Sequence, residues 1–175
     1  MPHLTRPDVR YRRSFLAAMD EFAAEGRSGD GSGIGNDLDR WSASWSSEDG
    51  FAAYVDHRLA EEHAPERDGW VRCTNLWWVD GPEYVGRLAV RHRLTDELLR
   101  TGGHIGYDVR RSRRREGHAT AMLAAALPVA RRLGIVEVLV TCDRDNVGSR
   151  KVIEANGGVL DDEREGKLRF WVATG

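Results

Sequence analysis

The sequence predicts an α/β protein: a central mixed β-sheet flanked by helices. Three observations carry that expectation. Val71–Val79 and Tyr84–His92 are two strand-like stretches joined by Asp80-Gly-Pro-Glu83, the pattern of a β-hairpin. Ile135–Cys142 is a nearly continuous apolar run with β-branched residues, as in a central strand buried on both faces. Segments of helical periodicity alternate with strands through the second half of the chain, which puts helices on the faces of one sheet. A chain of 175 residues is long enough for one domain with its own core, so a single domain over 1–175 is expected.

Element by element, residues 1–8 read as a loose arm. Val9–Glu25 is helical, with Phe15, Leu16, Met19, Phe22 and Ala23 on one face. Gly26–Asn36 is rich in glycine and serine and reads as a mobile loop. Trp41 and Trp45 follow, and Ser46 or Ser47 can cap a helix over Glu48–Glu62 with Phe51, Tyr54, Val55 and Leu59 inward. Past the hairpin, Leu94–Arg100 is a short helical or turn segment and His104–Val109 a strand. His118–Leu133 is an alanine-rich helix stopped by Gly134, with Pro128 inside it expected to bend it. Asn146–Asn156 is a helix ended by Gly157-Gly158, and Val159–Leu160 with Lys167–Ala173 closes the sheet.

Composition excludes several classes of function. No apolar run is long enough to span a bilayer and no signal-peptide core is evident, so a soluble, cytoplasmic protein without a membrane partner is expected. Cys73 and Cys142 sit in strands without a CxxC partner and read as buried free thiols, with a disulfide as the alternative. The six histidines lack metal-ligand spacing, so no metal is expected. Net charge is −2, which argues against nucleic-acid binding despite five arginines between Arg110 and Arg115. Acidic residues gather instead in the first helix and the loop after it (Asp20, Glu21, Glu25, Asp30, Asp37, Asp39), which suggests either an acidic rim for a cationic substrate or a solvated face. Trp41 and Trp45 could wall such an acceptor pocket or simply pack.

The most informative stretch is Tyr107–Thr120: the end of a strand, an arginine-rich loop and the start of a helix. Gly117 and Ala119 allow a backbone to come close to a ligand. A basic loop that ends on a helix N-terminus favours a phosphate. A phosphate-binding GxxxxGK[ST] loop is absent, and the GxGxxG dinucleotide fingerprint is not met.

The spacing Val109-x4-Arg114-x2-Gly117-x-Ala119 resembles the cofactor motif of the GNAT acetyltransferase superfamily. Asn146-Val-Gly-Ser149, with its helix ending Glu154-Ala-Asn-Gly157, resembles a further motif of that family in the expected order. Gly103–Tyr107, Thr141–Asn146 and Ser149–Gly158 are similar to a bacterial group of predicted acetyltransferases. The resemblance covers roughly 70–174, and residues 1–65 form the helical, variable acceptor side. It implies the GNAT acyl-CoA N-acyltransferase fold and acetyl-CoA as co-substrate. Backbone N–H groups from Arg114 through Arg115, Glu116, Gly117 and His118 to Ala119, with Thr120 beside them, would hold the pyrophosphate. Tyr107, Asp108 and Val109 would run beside the pantetheine arm, with Asn146 and Ser149 bonding it. Tyr107 and Asp108 point to opposite faces, and either can face the substrate.

The implied chemistry is direct attack of a neutral amine on the thioester, with an oxyanion held by backbone N–H groups and proton transfer by a base and an acid. His104 and, less directly, His92 are the candidate proton relays. The family places a tyrosine acid at the position of Ile153, which cannot donate a proton. The implied acceptor is a small-molecule primary amine: an amino sugar, a polyamine or an aminoglycoside-type antibiotic, the last tying the protein to antibiotic resistance. The alternatives are a protein or peptide N-acetyltransferase and a non-catalytic CoA-binding regulatory module. A homodimer through the C-terminal strands also follows from the resemblance.

Overall fold

The structure is a computed structural model that describes residues 1–64 and 69–175. The expected boundary between the variable region and the core, at 65–70, falls largely outside the described residues. Seven strands form one sheet: β1 (His3–Thr5), β2 (Cys73–Asp80), β3 (Glu83–Arg91), β4 (Ile105–Val109), β5 (Glu137–Asp143), β6 (Val159–Arg164) and β7 (Lys167–Ala173). Their order is β1-β2-β3-β4-β5-β7-β6, and only β4 and β5 run parallel. The helices are α1 (Arg12–Ala24), α2 (Gly33–Trp41), α3 (Glu48–Ala60), α4 (His118–Arg132) and α5 (Val147–Ala155).

Alternation along β2 divides the interior in two. Leu76 and Trp78 face one side and pack with Val85, Leu88, Val90, Ile105, Met122, Leu123 and Ile153 beneath α4 and α5. Trp77 and Val79 face the other, where α1, α2 and α3 cover them. There the ring of Phe15 is 5.1–5.4 Å from the rings of Trp45, Phe51, Tyr54, Trp77 and Tyr84, an aromatic cluster that fastens the N-terminal helices to the sheet. Trp45 is buried in this cluster and Trp41 packs on Tyr54, so both tryptophans serve packing.

Two N-terminal segments differ from expectation. Residues 3–5 are not a loose arm but an edge strand paired with Trp77–Val79. Three residues are too few for alternation to show in a sequence. The glycine-rich segment is not loop throughout, because α2 begins at Gly33. Ser32 caps it, its Oγ accepting the Gly35 N–H at 3.0 Å. Gly35 is there for closeness and not for freedom: a Cβ on it would collide with the Arg27 carbonyl and Asp30. The low helix propensity of glycine is overridden by that contact and by the buried Ile34 and Leu38. The cap of α3 is Ser47, whose Oγ accepts the Gly50 N–H at 3.0 Å. The α4 helix runs unbroken through Pro128. The segment before β4 takes a π-helical turn, Leu98–Gly102. Both cysteines are free thiols.

Candidate active site

The parallel pair β4–β5 is the weak seam of the sheet. Its register holds a single pair, Ile105 with Val140, whereas β3 pairs β4 along its whole length. Beyond Ile105 the two strands part, and the β4 edge facing β5 opens into a cleft of about 550 Å³. Tyr107, Asp108 and Val109 form one wall of it. Gly117, His118, Ala119 and Thr120 at the start of α4 close one end, and Asn146, Gly148, Ser149 and Val152 on α5 form the opposite wall.

The α4 start is built to leave donors free. Its N-cap is Gly117, in the left-handed region at φ +83°, and no side chain caps the helix. Arg115 also lies there, at φ +66°, a conformation that disfavours side-chain-bearing residues and marks a tightly shaped loop. First-turn N–H groups and the positive helix end therefore face the cleft.

Most arginines of the loop are committed to the protein. Arg110 donates to Glu21 Oε1 from Nε (2.9 Å) and Nη2 (2.5 Å), and to the Tyr84 carbonyl (3.2 Å). Arg113 pairs with Glu83, with Asp80 (3.3 Å) and with Glu116 (2.9 Å). Arg114 makes a two-pronged contact with Glu25 (2.6 and 2.8 Å) and donates from Nε to the Val109 carbonyl (2.9 Å). This corrects the acidic-rim reading. Glu21 and Glu25 of α1 neither await a cationic acceptor nor form a solvated face; they clasp the arginine loop. Burial raises the Glu21 carboxyl, and hydrogen bonds from Arg110 and Ser112 outweigh it, so it sits below its usual value. Among the described residues, the guanidinium groups of Arg111 and Arg115 meet no acceptor or carboxylate and remain available to an anion.

Tyr107 and Asp108 take opposite faces. Tyr107 lies on the α4–α5 side, its hydroxyl 2.6 Å from Ser149 Oγ, a bridge across the two walls of the cleft. Burial pushes its phenol up to about 12. Asp108 takes the other face and accepts from Arg27 Nη2 at 2.9 Å, with Arg87 Nε at 3.7 Å. Asn146 caps α5, its Oδ1 accepting the Ser149 N–H at 3.0 Å.

The structure thus gathers eleven of the twelve expected cofactor residues on one cleft. Glu116 is the exception: its carboxylate turns to Arg113 and His118. Arg27, Arg113, Gly148 and Val152 also line the cleft. Val152 was accessible to sequence reasoning, since it follows Ser149 by one helical turn. Arg27 was not, because no local signal says that a residue after α1 folds over β4.

The histidines are placed as follows. His104 is 8% exposed, and its Nδ1 accepts the Leu139 N–H at 2.9 Å, standing in for a backbone acceptor where the seam begins. Burial, then the nearby Arg91 charge, push it down to about 4. His92 Nε2 lies 2.8 Å from Thr74 Oγ1, outside the cleft lining. His118 Nδ1 accepts the Trp78 indole N–H at 3.1 Å, which anchors the start of α4 to the sheet. Ile153 is fully buried in the α4–α5 core, so that position presents nothing to the cleft.

A seven-stranded mixed sheet split between two parallel strands, with an uncapped helix start at the split, is the architecture of an acyl-CoA N-acyltransferase. The sequence matches the acetyltransferase (GNAT) domain family over residues 35–159, more than half of the chain, and the chain belongs to that family of acyltransferases. The match begins within α2, so the family pattern reaches well into the region expected to vary. Solved structures share the fold. RimJ of Mycobacterium smegmatis in complex with CoA-disulfide is 18% identical, with TM-score 0.67 over 98% of this chain and 81% of that one. Microcin C7 self-immunity acetyltransferase MccE, in complex with acetyl-CoA and AMP, is 12% identical, with TM-score 0.64 over 98% and 92%. PaiA N-acetyltransferase of Thermoplasma acidophilum, in complex with coenzyme A, is 10% identical, with TM-score 0.60 over 99% of both chains. No functionally curated protein matches the sequence. No helix among the described residues is long and apolar enough to cross a membrane, and none of their side chains cluster as a metal site.

Proposed function

We propose that this chain transfers the acetyl group of acetyl-CoA to a primary amine by direct attack. The observation that carries the reading is the cleft beyond the Ile105–Val140 pair, which offers a free strand edge and an uncapped helix start to the same ligand. The cleft residues fit CoA chemically. N–H groups of the Arg114–Thr120 loop and helix start receive the pyrophosphate, and Arg111 and Arg115 add charge. The open edge of Tyr107–Val109 pairs with the amides of the pantetheine arm as an added strand does. Asn146 and Ser149 face that arm from α5. Acetyl-CoA supplies the activated thioester.

The residues of the chain then divide the remaining work. Backbone N–H groups of the free β4 edge stabilise charge on the carbonyl oxygen. Tyr107 lies on the cleft with its hydroxyl 2.6 Å from Ser149 Oγ, and this hydroxyl pair is the candidate acid for the departing thiolate in place of the tyrosine missing at Ile153. His104 Nδ1 is taken up by the Leu139 N–H at the seam, and this reading routes no proton through it. The acceptor amine approaches from the face opposite α4 and α5, over Gly106.

A second reading concerns the acceptor alone. The neighbours include RimJ and also RimL, a ribosomal L7/L12 α-N-protein acetyltransferase, which favours a peptide α-amino group over a free small molecule. Both readings are tested together. Calorimetry should detect CoA and acetyl-CoA binding to the wild type and at least tenfold weaker binding to Gly117→Leu, which forces a side chain onto a left-handed backbone at the phosphate end. Thiol release should then be followed with small amines and N-terminal peptides. Unchanged affinity in Gly117→Leu would remove the pyrophosphate from this loop, and CoA binding without release for any amine would favour a regulatory module.

A further inference from the structure

The sheet face opposite α4 and α5 carries a chain of ion pairs under the N-terminal helices. Asp37, 1% exposed, accepts from Tyr54 Oη (2.8 Å), from Arg87 Nη1 (3.0 Å) and from Arg58. Arg58 also reaches Glu61 (2.9 Å), and Asp108 joins Arg27 to Arg87. Arg27, Arg58 and Arg87 each have a carboxylate. Arg91, four residues beyond Arg87 on the same face of β3, does not. Among the described residues its guanidinium donates only to the carbonyls of Gly102 (3.2 Å) and Gly103 (3.1 Å) and meets no carboxylate. Burial holds the Arg91 guanidinium below its usual value, with the Cys73 thiol opposing that shift and the Arg87 charge adding to it.

The direction of Arg91 decides what it can bind. A Cβ on Gly106 would lie 3.9 Å from both its Nη1 and Nη2. Gly106 sits between Ile105, paired with β5, and Tyr107, the first β4 residue to line the cleft. The guanidinium therefore overlooks the one β4 residue without a side chain, on the acceptor face and at the apex of the cleft. Among the described residues no other side chain comes that near the Gly106 Cβ position, and a planar fork aimed over it suits a carboxylate.

We propose that Arg91 binds a carboxylate of the acceptor, so that the acceptor is an amine bearing an acidic group close to its nitrogen. This inference rests on the acetyl-transfer reading above. The carboxylate can be the α-carboxylate of a free amino acid or the acidic side chain of the first residue of a peptide. Polyamines and aminoglycoside-type compounds, which bring only positive charge, are disfavoured by the same cation.

Thiol release from acetyl-CoA tests this with paired amines: glycine against glycinamide, glutamate against glutamine amide, and an amidated peptide beginning Asp against one beginning Asn, with spermidine as the cationic arm. The amides hold more neutral amine at a given pH, so any bias runs against the proposal. The acidic member of a pair should show at least tenfold higher kcat/KM in the wild type. Arg91→Gln should erase that preference through KM, Arg91→Lys should restore part of it, and CoA affinity should be the same in all three. A guanidinium that merely tied down the Gly102–Gly103 carbonyls would leave acceptor preference unmoved. Equal or better use of neutral amines or spermidine by the wild type, or an acidic preference that survives Arg91→Gln, would overturn the proposal. Absence of CoA binding in the wild type would instead strike the acetyl-transfer reading.

Discussion

At the scale of single residues, the cleft is defined by what each group already has bonded. Tyr107 shares its hydroxyl with Ser149 and lies on the cleft. Tyr107→Phe should therefore lower kcat on the order of 10²-fold, the size expected when a proton donor is removed, while CoA affinity changes little. Single-turnover kinetics beside calorimetry would check this, and an unaffected kcat would discard Tyr107 as the acid. His104 makes a different prediction. Its folded pKa of about 4 lies below the usual 6.5, so the unfolded chain takes up the proton first. The stability it confers is complete above pH 6.5 and is lost as pH falls toward 4. Thermal midpoints across that window should decline in the wild type and decline less in His104→Gln. The loop that lines one end of the cleft was legible in the sequence from Gly117 and Ala119 at their fixed spacing. Which of Tyr107 and Asp108 points to the α4–α5 side was not, since alternation separates two faces without saying what covers each.

At the scale of elements, the clasp between α1 and the arginine loop shapes the end of the cleft where α4 begins. Arg110 is 8% exposed and is held by Glu21, while Arg114 is held by Glu25. Glu21→Ala should leave a largely buried guanidinium without its main partner and cost about 3 kcal/mol, read by denaturant unfolding. It should also weaken CoA binding by loosening the loop. A stability loss under about 0.5 kcal/mol, the range of ordinary surface changes, would mean the clasp is incidental. The sequence showed both partners as charge runs of opposite sign but not that they meet, because 89 residues separate Glu21 from Arg110. The same limit explains α2. Glycines near its start read as loop formers, and the close approach of Gly33 to Arg87 and of Gly35 to Arg27 and Asp30 shows why a helix wants them there. Long, periodic elements such as α3, α4 and the β2–β3 hairpin were legible because their patterns repeat within themselves.

At the scale of the whole molecule, the sheet separates two tasks. One side holds an apolar core under α4 and α5, from which the cleft opens; the other holds an aromatic cluster and the ion pairs around Asp37. The two sides meet at β4, whose edge is paired with β3 and open toward β5 past Ile105. The central claim is that CoA completes this seam. Amide hydrogen exchange with and without CoA tests that claim most directly. CoA should slow exchange at Tyr107–Val109 on β4 and at Gly117–Thr120 on α4, with little change across the β2–β3 hairpin. Binding that leaves both segments unprotected, or protection elsewhere on the sheet, would contradict it.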